Sequence, residues 1–330
     1  MNTNSLPDVS NWAGACTVST LACIKAQGAD AATFLHGQLS QDVQSLGPQE
    51  ARLGAYCSAK GRMLASMLLL APQPEQVWLL LCDDVLPATL KRLQMFVLRA
   101  KAKLSDERGT TAIVGLVGTA SLAAIPGADS AALSRPYQVQ VLPAASADDA
   151  STTVLVRLPD VQGLARWLWI GPQAAAQGLM AALPALDADR WAWLDVMSGV
   201  PQIEAATVDQ FVPQMVNFEI VGGVNFKKGC YPGQEVVARS QYRGTTKRRV
   251  FLAHADAAIT PGQEVFAADD PGQPAGLVVN AATRPMSDGE ASALIELKLA
   301  HAGSALSVGA LEGPALTLAP LPYELPGGDD

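Results

Sequence analysis

The first third of the chain alternates short apolar runs with polar turns, switching between a period of two and a period of 3.6. Residues 20–26 read as a strand. Gly28-Ala29-Asp30 then opens a helix, with Asp30 as N-cap and Phe34 and Leu35 facing inward. That helix is expected to run on through His36-Gly37-Gln38-Leu39 towards Asp42. Residues 53–58 and 62–70 form two strands joined by the turn Ala59-Lys60-Gly61, and 77–82 a third. Leu90, Leu93 and Val97 recur at helical spacing over 87–97, and 98–104 is expected to return to a strand. The middle repeats this texture. Residues 112–117, 137–142, 153–157 and 167–170 are strand-like, and 172–183 and 188–198 helix-like. An Ala-, Ser- and Pro-rich surface loop falls within 121–150.

After residue 245 the rhythm changes. Short strands at 250–255, 264–268, 276–280, 293–299 and 315–318 are separated by Gly, Pro and Asp, the pattern of a small β-barrel or sandwich. The expected class is therefore α+β. Residues 1–245 would hold two sub-domains that can interleave, 246–330 would hold the barrel, and the tail 326–330 is expected to fray.

The most informative run is Lys228-Gly229-Cys230-Tyr231-Pro232-Gly233-Gln234-Glu235. A turn follows the cysteine, and Gln234 onward reads as a helix start. The nearby helix dipole and the adjoining Lys227 and Lys228 both favour a thiolate. Cys230 is thus the candidate catalytic residue, as nucleophile, redox thiol or transient iron ligand. A structural thiol near a turn is the plainer reading. Tyr231 could stack on a ligand or simply pack. Gln234 and Glu235 could read a ligand edge or polarise a helix start. Trp191 and Trp193 lie two apart on a helix and so face different ways, and Trp191 is the one expected to line a site. Lys60-Gly61-Arg62 is given no role beyond a hairpin turn or an anion contact.

Composition narrows the field. The 330 residues are 49% apolar and 16% charged, an ordinary globular balance with room for two or three domains. The apolar stretch 63–71 is too short to span a membrane, and 1–10 lacks the basic and apolar parts of a secretory signal, so a cytoplasmic location is expected. Five cysteines at long, irregular spacing and three scattered histidines give no disulfide framework and no metal site. Cys16, Cys23, Cys57 and Cys82 lie in apolar surroundings and read as core filler. Net charge is −8, and aromatic content is 5%, which disfavours a direct nucleic-acid-binding module. Residues 225–249 nevertheless carry seven basic side chains against one acidic, a local +6 that leaves −14 elsewhere. Such a stripe faces a local anion or is a solvated surface.

Taken together, residues 211–214, 222–235, Ala238-Arg239 and Arg243-Gly244 resemble the signature of the YgfZ-type folate-binding proteins, relatives of the glycine cleavage T-protein, an aminomethyltransferase. Gly28-Ala29-Asp30, Phe34-Leu35, Gly37-Gln38, Asp42-Val43, Lys60-Gly61-Arg62 and Pro320-Leu321-Pro322-Tyr323 fit the same pattern, so the likeness spans nearly the whole chain. The resemblance implies a three-domain ring of two α+β units and a C-terminal β-barrel, with tetrahydrofolate in a central channel. It further implies support of iron–sulfur cluster assembly or repair and of iron–sulfur-dependent tRNA modification, with iron–sulfur proteins as partners. On this likeness Trp191, Lys228, Tyr231, Gln234, Glu235 and Arg239 are the folate-binding candidates. Two departures stand out. Leu21 occupies the place of a second tryptophan found in some members. The Arg-x-Glu-x-Gly pattern of T-proteins reads Asp195-Val196-Met197-Ser198-Gly199 here, which weighs against aminomethyl or one-carbon transfer, the alternative function.

Overall fold

The computed structural model describes residues 6–143, 151–242 and 246–326. Part of the loop expected within 121–150, the Arg243-Gly244 pair and the residues 327–330 lie outside that set. In chain order the elements are β1 (Gly14–Thr17), β2 (Leu21–Gln27), α1 (Ala31–His36), β3 (Ala51–Cys57), β4 (Met63–Leu70), β5 (Gln76–Cys82), α2 (Leu86–Val97), β6 (Lys103–Asp106), β7 (Thr111–Val117), α3 (Thr119–Ala123), β8 (Val139–Leu142), β9 (Thr153–Arg157), β10 (Arg166–Pro172), α4 (Gln173–Ala182), α5 (Ala188–Met197), α6 (Gln234–Tyr242), β11 (Arg248–Ala255), β12 (Glu264–Ala267), β13 (Gly276–Thr283), β14 (Ala291–Lys298), β15 (Leu306–Val308) and β16 (Ala315–Ala319).

The strands assemble into two five-stranded antiparallel sheets and a closed barrel. One sheet has the order β3-β4-β5-β2-β6, the other β1-β7-β10-β9-β8, and the barrel runs β11-β14-β13-β12-β15-β16. The class is α+β with a C-terminal barrel, as the sequence pattern predicts. The first sheet is completed by β2 to β6, yet β1 belongs to the second, pairing with β7 from Gly14 opposite Val117 to Thr17 opposite Val114. The chain therefore crosses between the sheets at its start. A single apolar core spans both sheets, α5 and one side of the barrel, joining Leu68, Leu168, Trp193 and Leu294. A separate core fills the barrel around Val265, Val278 and Ile295.

Two expected elements differ. α1 stops at His36, and residues 38–42 do not continue as helix. Leu39 instead bridges Tyr56, and Ser40 N–H donates to the Ala55 carbonyl at 2.9 Å, so the segment runs along the edge of β3. Residues 98–102 are not strand. Asp30 and Lys101 hold this loop against the Gly28 turn. The Lys101 N–H donates to the Asp30 carboxylate at 2.7 Å, and a Cβ on Gly28 would lie 2.1 Å from the Lys101 carbonyl oxygen. Asp30 therefore spends its carboxylate on a neighbouring loop rather than on its own helix.

Polar side chains lock the barrel to the sheets. Trp193 Nε1 donates to Ser292 Oγ at 2.9 Å, and Asn217 Nδ2 donates to the Val250 carbonyl at 2.9 Å. Arg249 pairs with Glu219 in a buried contact, and Tyr323 OH donates to the Gly199 carbonyl at 2.8 Å. Among the described residues no helix is long and apolar enough to cross a membrane.

All five cysteines are free, and four are buried. Burial pushes the Cys16, Cys23 and Cys57 thiols from 9.0 up to about 12. Between those values the folded chain holds protons that the unfolded chain has released, so stability falls as pH rises through that window. Lys228 acts in the opposite sense between about 8 and 10.5, but it is one half-buried group against three thiols. The urea midpoint should therefore drop as pH rises from about 9 towards about 12, and drop less steeply in Cys57→Ala. A midpoint flat across this range would mean the thiols ionise equally in both states.

Candidate functional site

Three connected cavities lie between the sheets. The narrow waist is walled by Leu53, Met67 and Leu68 of the first sheet, Leu168 of the second, and Trp191 and Asp195 of α5. On one side it shares Cys82, Asp195, Val200 and Gln202 with a wider cavity of about 340 Å³. On the other it shares Tyr137, Pro159, Ser198 and Val200 with a cavity of about 400 Å³ that reaches Tyr323. The three cavities adjoin one another around an apolar waist that carries one ion pair, its Arg166 buried and its Asp195 partly exposed.

That pair is set by α5 and β10. Asp187 caps α5 by accepting from Asp189 N–H at 2.9 Å, which fixes where the helix begins. Asp195 then falls opposite Arg166, whose Nη1 donates to it at 2.7 Å, while Arg166 Nε donates to the Pro159 carbonyl at 3.1 Å. Burial raises the Asp195 carboxyl above its ordinary value, and Arg166 only partly offsets this. The Arg166 guanidinium also sits 5.3 Å from the Trp191 ring centre. Gly115 makes room for that ring, since a Cβ there would come within 2.4 Å of it. Trp191 Nε1 is buried beside the Asp195 carboxylate, which it helps to hold charged, without a well-aligned hydrogen bond to it. Trp193 points the other way, into Trp12 and Ser292. Leu21, at the place of the missing second tryptophan, lines the same waist as Trp191.

The cysteine motif lies elsewhere. Lys228, Cys230, Tyr231, Gln234, Glu235 and Arg239 line none of the three channel cavities. The motif docks instead on the β3–β4 turn and on the segment after α1. Lys228 Nζ donates to the carbonyls of His36 and, at 2.9 Å, Leu39. Burial lowers the Lys228 ammonium to about 8. Its charge lies 4.8 Å from the Tyr231 ring centre, and Tyr231 itself is buried. Gln41 Nε2 donates to the Gly222 carbonyl at 2.8 Å, and Ser40 Oγ to that of Gly223 at 2.6 Å. Gly233 has φ +79, and a Cβ there would stand 2.4 Å from the Ser58 carbonyl oxygen and 2.7 Å from Gly61. The Lys60-Gly61-Arg62 turn is thus the seat of the motif, a role its sequence did not reveal.

α6 begins at Gln234, directly after the Gly233 turn, as the sequence pattern predicts. Cys230 is the exposed thiol among the five. The basic stripe is thinner than its charge count. Arg248 donates to Glu296, Arg249 pairs with Glu219, and Lys228 is spent on carbonyls. Lys227, Arg239 and Lys247 remain exposed, and Arg243 is outside the described residues. Arg166, Asp195 and Tyr137 are site residues that the sequence reading did not single out. Only the meeting of β10 with α5 brings Arg166 to Asp195, and no local spacing carries that signal.

No protein-family model matches the chain. Among solved structures it is similar to the glycine cleavage system aminomethyltransferase T from Bartonella henselae. The identity is 18%, the match covers 94% of this chain and 86% of that one, and the TM-score is 0.73. The fold is therefore that of the glycine cleavage T-protein. A heterotetrameric sarcosine oxidase from Corynebacterium sp. U-96 overlaps 51% of this chain and 82% of that one at 14% identity, with a TM-score of only 0.36.

The seat of the motif generates a direct prediction. Gly233→Ala should destabilise by about 2–4 kcal/mol, because it combines a left-handed backbone with a backbone collision. Gly222→Ala, at φ +87 but with open space around it, is the control and should cost only about 1 kcal/mol. Equal losses in urea titrations would show that backbone conformation alone, not the docking on Gly61, makes Gly233 necessary.

Proposed function

We propose that this protein binds tetrahydrofolate in the channel and serves as an accessory factor for iron–sulfur cluster assembly or repair, acting through Cys230. The observation that carries the first half is the waist itself. A reduced pterin joins a flat pyrimidine ring, with N–H donors along one edge and a carbonyl beside them, to a puckered saturated ring. The Asp195 carboxylate, held by Arg166 with the Trp191 Nε1–H beside it, can accept from that edge. Leu53, Met67 and Leu168 supply apolar walls for the ring faces. These residues fit the group. When bound, a reduced folate supplies one-carbon or redox chemistry. The protein's own part is to orient the ring and keep it from bulk water.

The second half rests on the resemblance of the Lys228–Glu235 motif to YgfZ-type proteins and on the exposure of Cys230 where the other four thiols are buried. On this reading iron–sulfur proteins are the partners, and effects on tRNA modification are indirect. Lys228 and Tyr231 act by holding the thiol's loop, and Gln234, Glu235 and Arg239 present the surface beside it. Aminomethyl or one-carbon transfer is the second reading, favoured by the whole-chain fold match. Asp195 and Met197 stand where T-proteins carry arginine and glutamate, which weighs against it.

Tetrahydrofolate should quench the tryptophan fluorescence, and its affinity measured by calorimetry should fall at least about tenfold in Asp195→Asn, the cost of one charged hydrogen bond. Trp191→Ala should lose both quenching and affinity. Cys230→Ser should fail to restore iron–sulfur enzyme activity in a strain lacking the protein. No binding at millimolar folate removes the first half, and full complementation by the serine variant removes the second. Catalytic turnover in a one-carbon transfer assay would favour the transferase reading instead.

A further inference from the structure

The end of α1 places a second titratable group beside the thiol's loop. His36 Nδ1 lies 3.0 Å from Asp42 Oδ1. The other ring nitrogen, Nε2, faces Gly229, standing 3.7 Å from where a Cβ on that residue would be. Cys230 is the next residue. Lys228, on the other side of Gly229, ties the same loop to the His36 and Leu39 carbonyls. The loop is therefore clamped against the histidine. A carboxylate on Nδ1 fixes the neutral ring as the Nδ1–H tautomer and leaves the Nε2 lone pair facing the loop that bears the thiol. A base oriented by a carboxylate and set against the loop that bears a thiol is an arrangement that can activate a cysteine.

We infer that His36 is the base that deprotonates Cys230 and that Asp42 holds its ring for the task. This rests on the reading of Cys230 as the working group. In the step, His36 Nε2 takes the proton from Sγ. The sulfur keeps the electron pair, and the imidazolium is stabilised by Asp42. With iodoacetamide as probe, the thiolate then forms the S–C bond, the C–I bond breaks, and iodide leaves with its electron pair. The proton passes from His36 to water.

Other groups near the pair are few. Asp42 lies on the segment after α1, and Lys227, Lys228 and Tyr231 lie on the thiol's own loop. Lys60 projects from the β3–β4 turn, Glu235 from the start of α6, and Cys57 ends β3. Burial raises Tyr231 and takes Cys57 to about 12, so neither titrates near neutrality. Lys228 titrates near 8, above the range in which a histidine acts.

The test is the rate of Cys230 alkylation by iodoacetamide against pH, read by peptide mass spectrometry on the full chain. An ordinary thiol ionises near pH 8.5 and a histidine near 6.5, so the two arms of the profile separate. In the native protein Cys230 should react readily at about pH 6.5. His36→Gln should slow it about tenfold or more there, and less than about threefold at pH 9.5, where a thiol ionises unaided. Asp42→Asn should lose the same low-pH arm. The four buried cysteines are an internal folding control, because they stay unreactive in a folded variant. If His36→Gln exposes them, Asp42→Asn alone carries the test. A variant profile that superimposes on the native one overturns the inference, as does a native Cys230 with no reactivity at pH 6.5. The underlying reading of Cys230 fails by a different result, full complementation by Cys230→Ser.

Discussion

The structure depends on an interlock between two stretches far apart in sequence, residues 36–42 and 222–230. Ser40 is its pivot. Its N–H and Oγ tie it to Ala55 of β3, and the same Oγ donates to the Gly223 carbonyl. Gln41 donates both to the Leu53 carbonyl and to that of Gly222. Lys228 then closes the clasp on His36 and Leu39. Ser40 and Gln41 are buried, so each of these bonds replaces one that water would otherwise make, and losing a partner strands a polar group. The termination of α1 at His36 follows from this. Residues 38–42 leave the helix because their backbone is needed at the edge of β3 and under the glycine pair.

The interlock explains why the lysine of the motif is not the electrostatic partner that its position implies. An ammonium beside a cysteine usually serves to favour the thiolate. Here the Lys228 charge is directed at two carbonyls and half-buried, at an evident desolvation cost. A lysine in such a place holds a loop. The acid–base role passes to a neighbour the loop is pressed against, and the neighbour available is His36.

Much of this was legible in the sequence, and the remainder follows a rule. The sheets and the barrel came from periodicity, because a strand that buries one or both faces announces itself locally. The burial of Cys16, Cys23, Cys57 and Cys82 and the opposed directions of Trp191 and Trp193 were legible for the same reason. What failed was whatever depends on a partner distant in the chain. Asp30 looked like a helix cap, yet its carboxylate is claimed by Lys101. Lys60-Gly61-Arg62 looked like an ordinary hairpin turn, yet Gly61 is glycine because Gly233 lies on it. Arg166 gave no sign of meeting Asp195. His36 seemed one of three scattered histidines, though its spacing from Asp42 on either side of a helix end was a signal that could have been weighed.

The channel and the thiol are separate places, and the β3–β4 hairpin joins them. Leu53 of β3 and Ser66, Met67 and Leu68 of β4 wall the waist, while the turn between the same strands carries Gly61 and so the seat of the motif. A ligand in the waist would touch the body of the hairpin and not the cysteine. Two antiparallel strands in continuous register from Ala51 opposite Leu70 to Tyr56 opposite Ala65 transmit position well and bend poorly. One bulge interrupts the pairing between Tyr56 and Cys57, next to the turn. A bulge re-aims what lies beyond it and is a designed feature of a sheet rather than a defect. The hairpin thus connects the waist to the turn on which Gly233 rests, with the bulge lying between them. The waist and the cysteine loop need share no atom for one element to hold both in place.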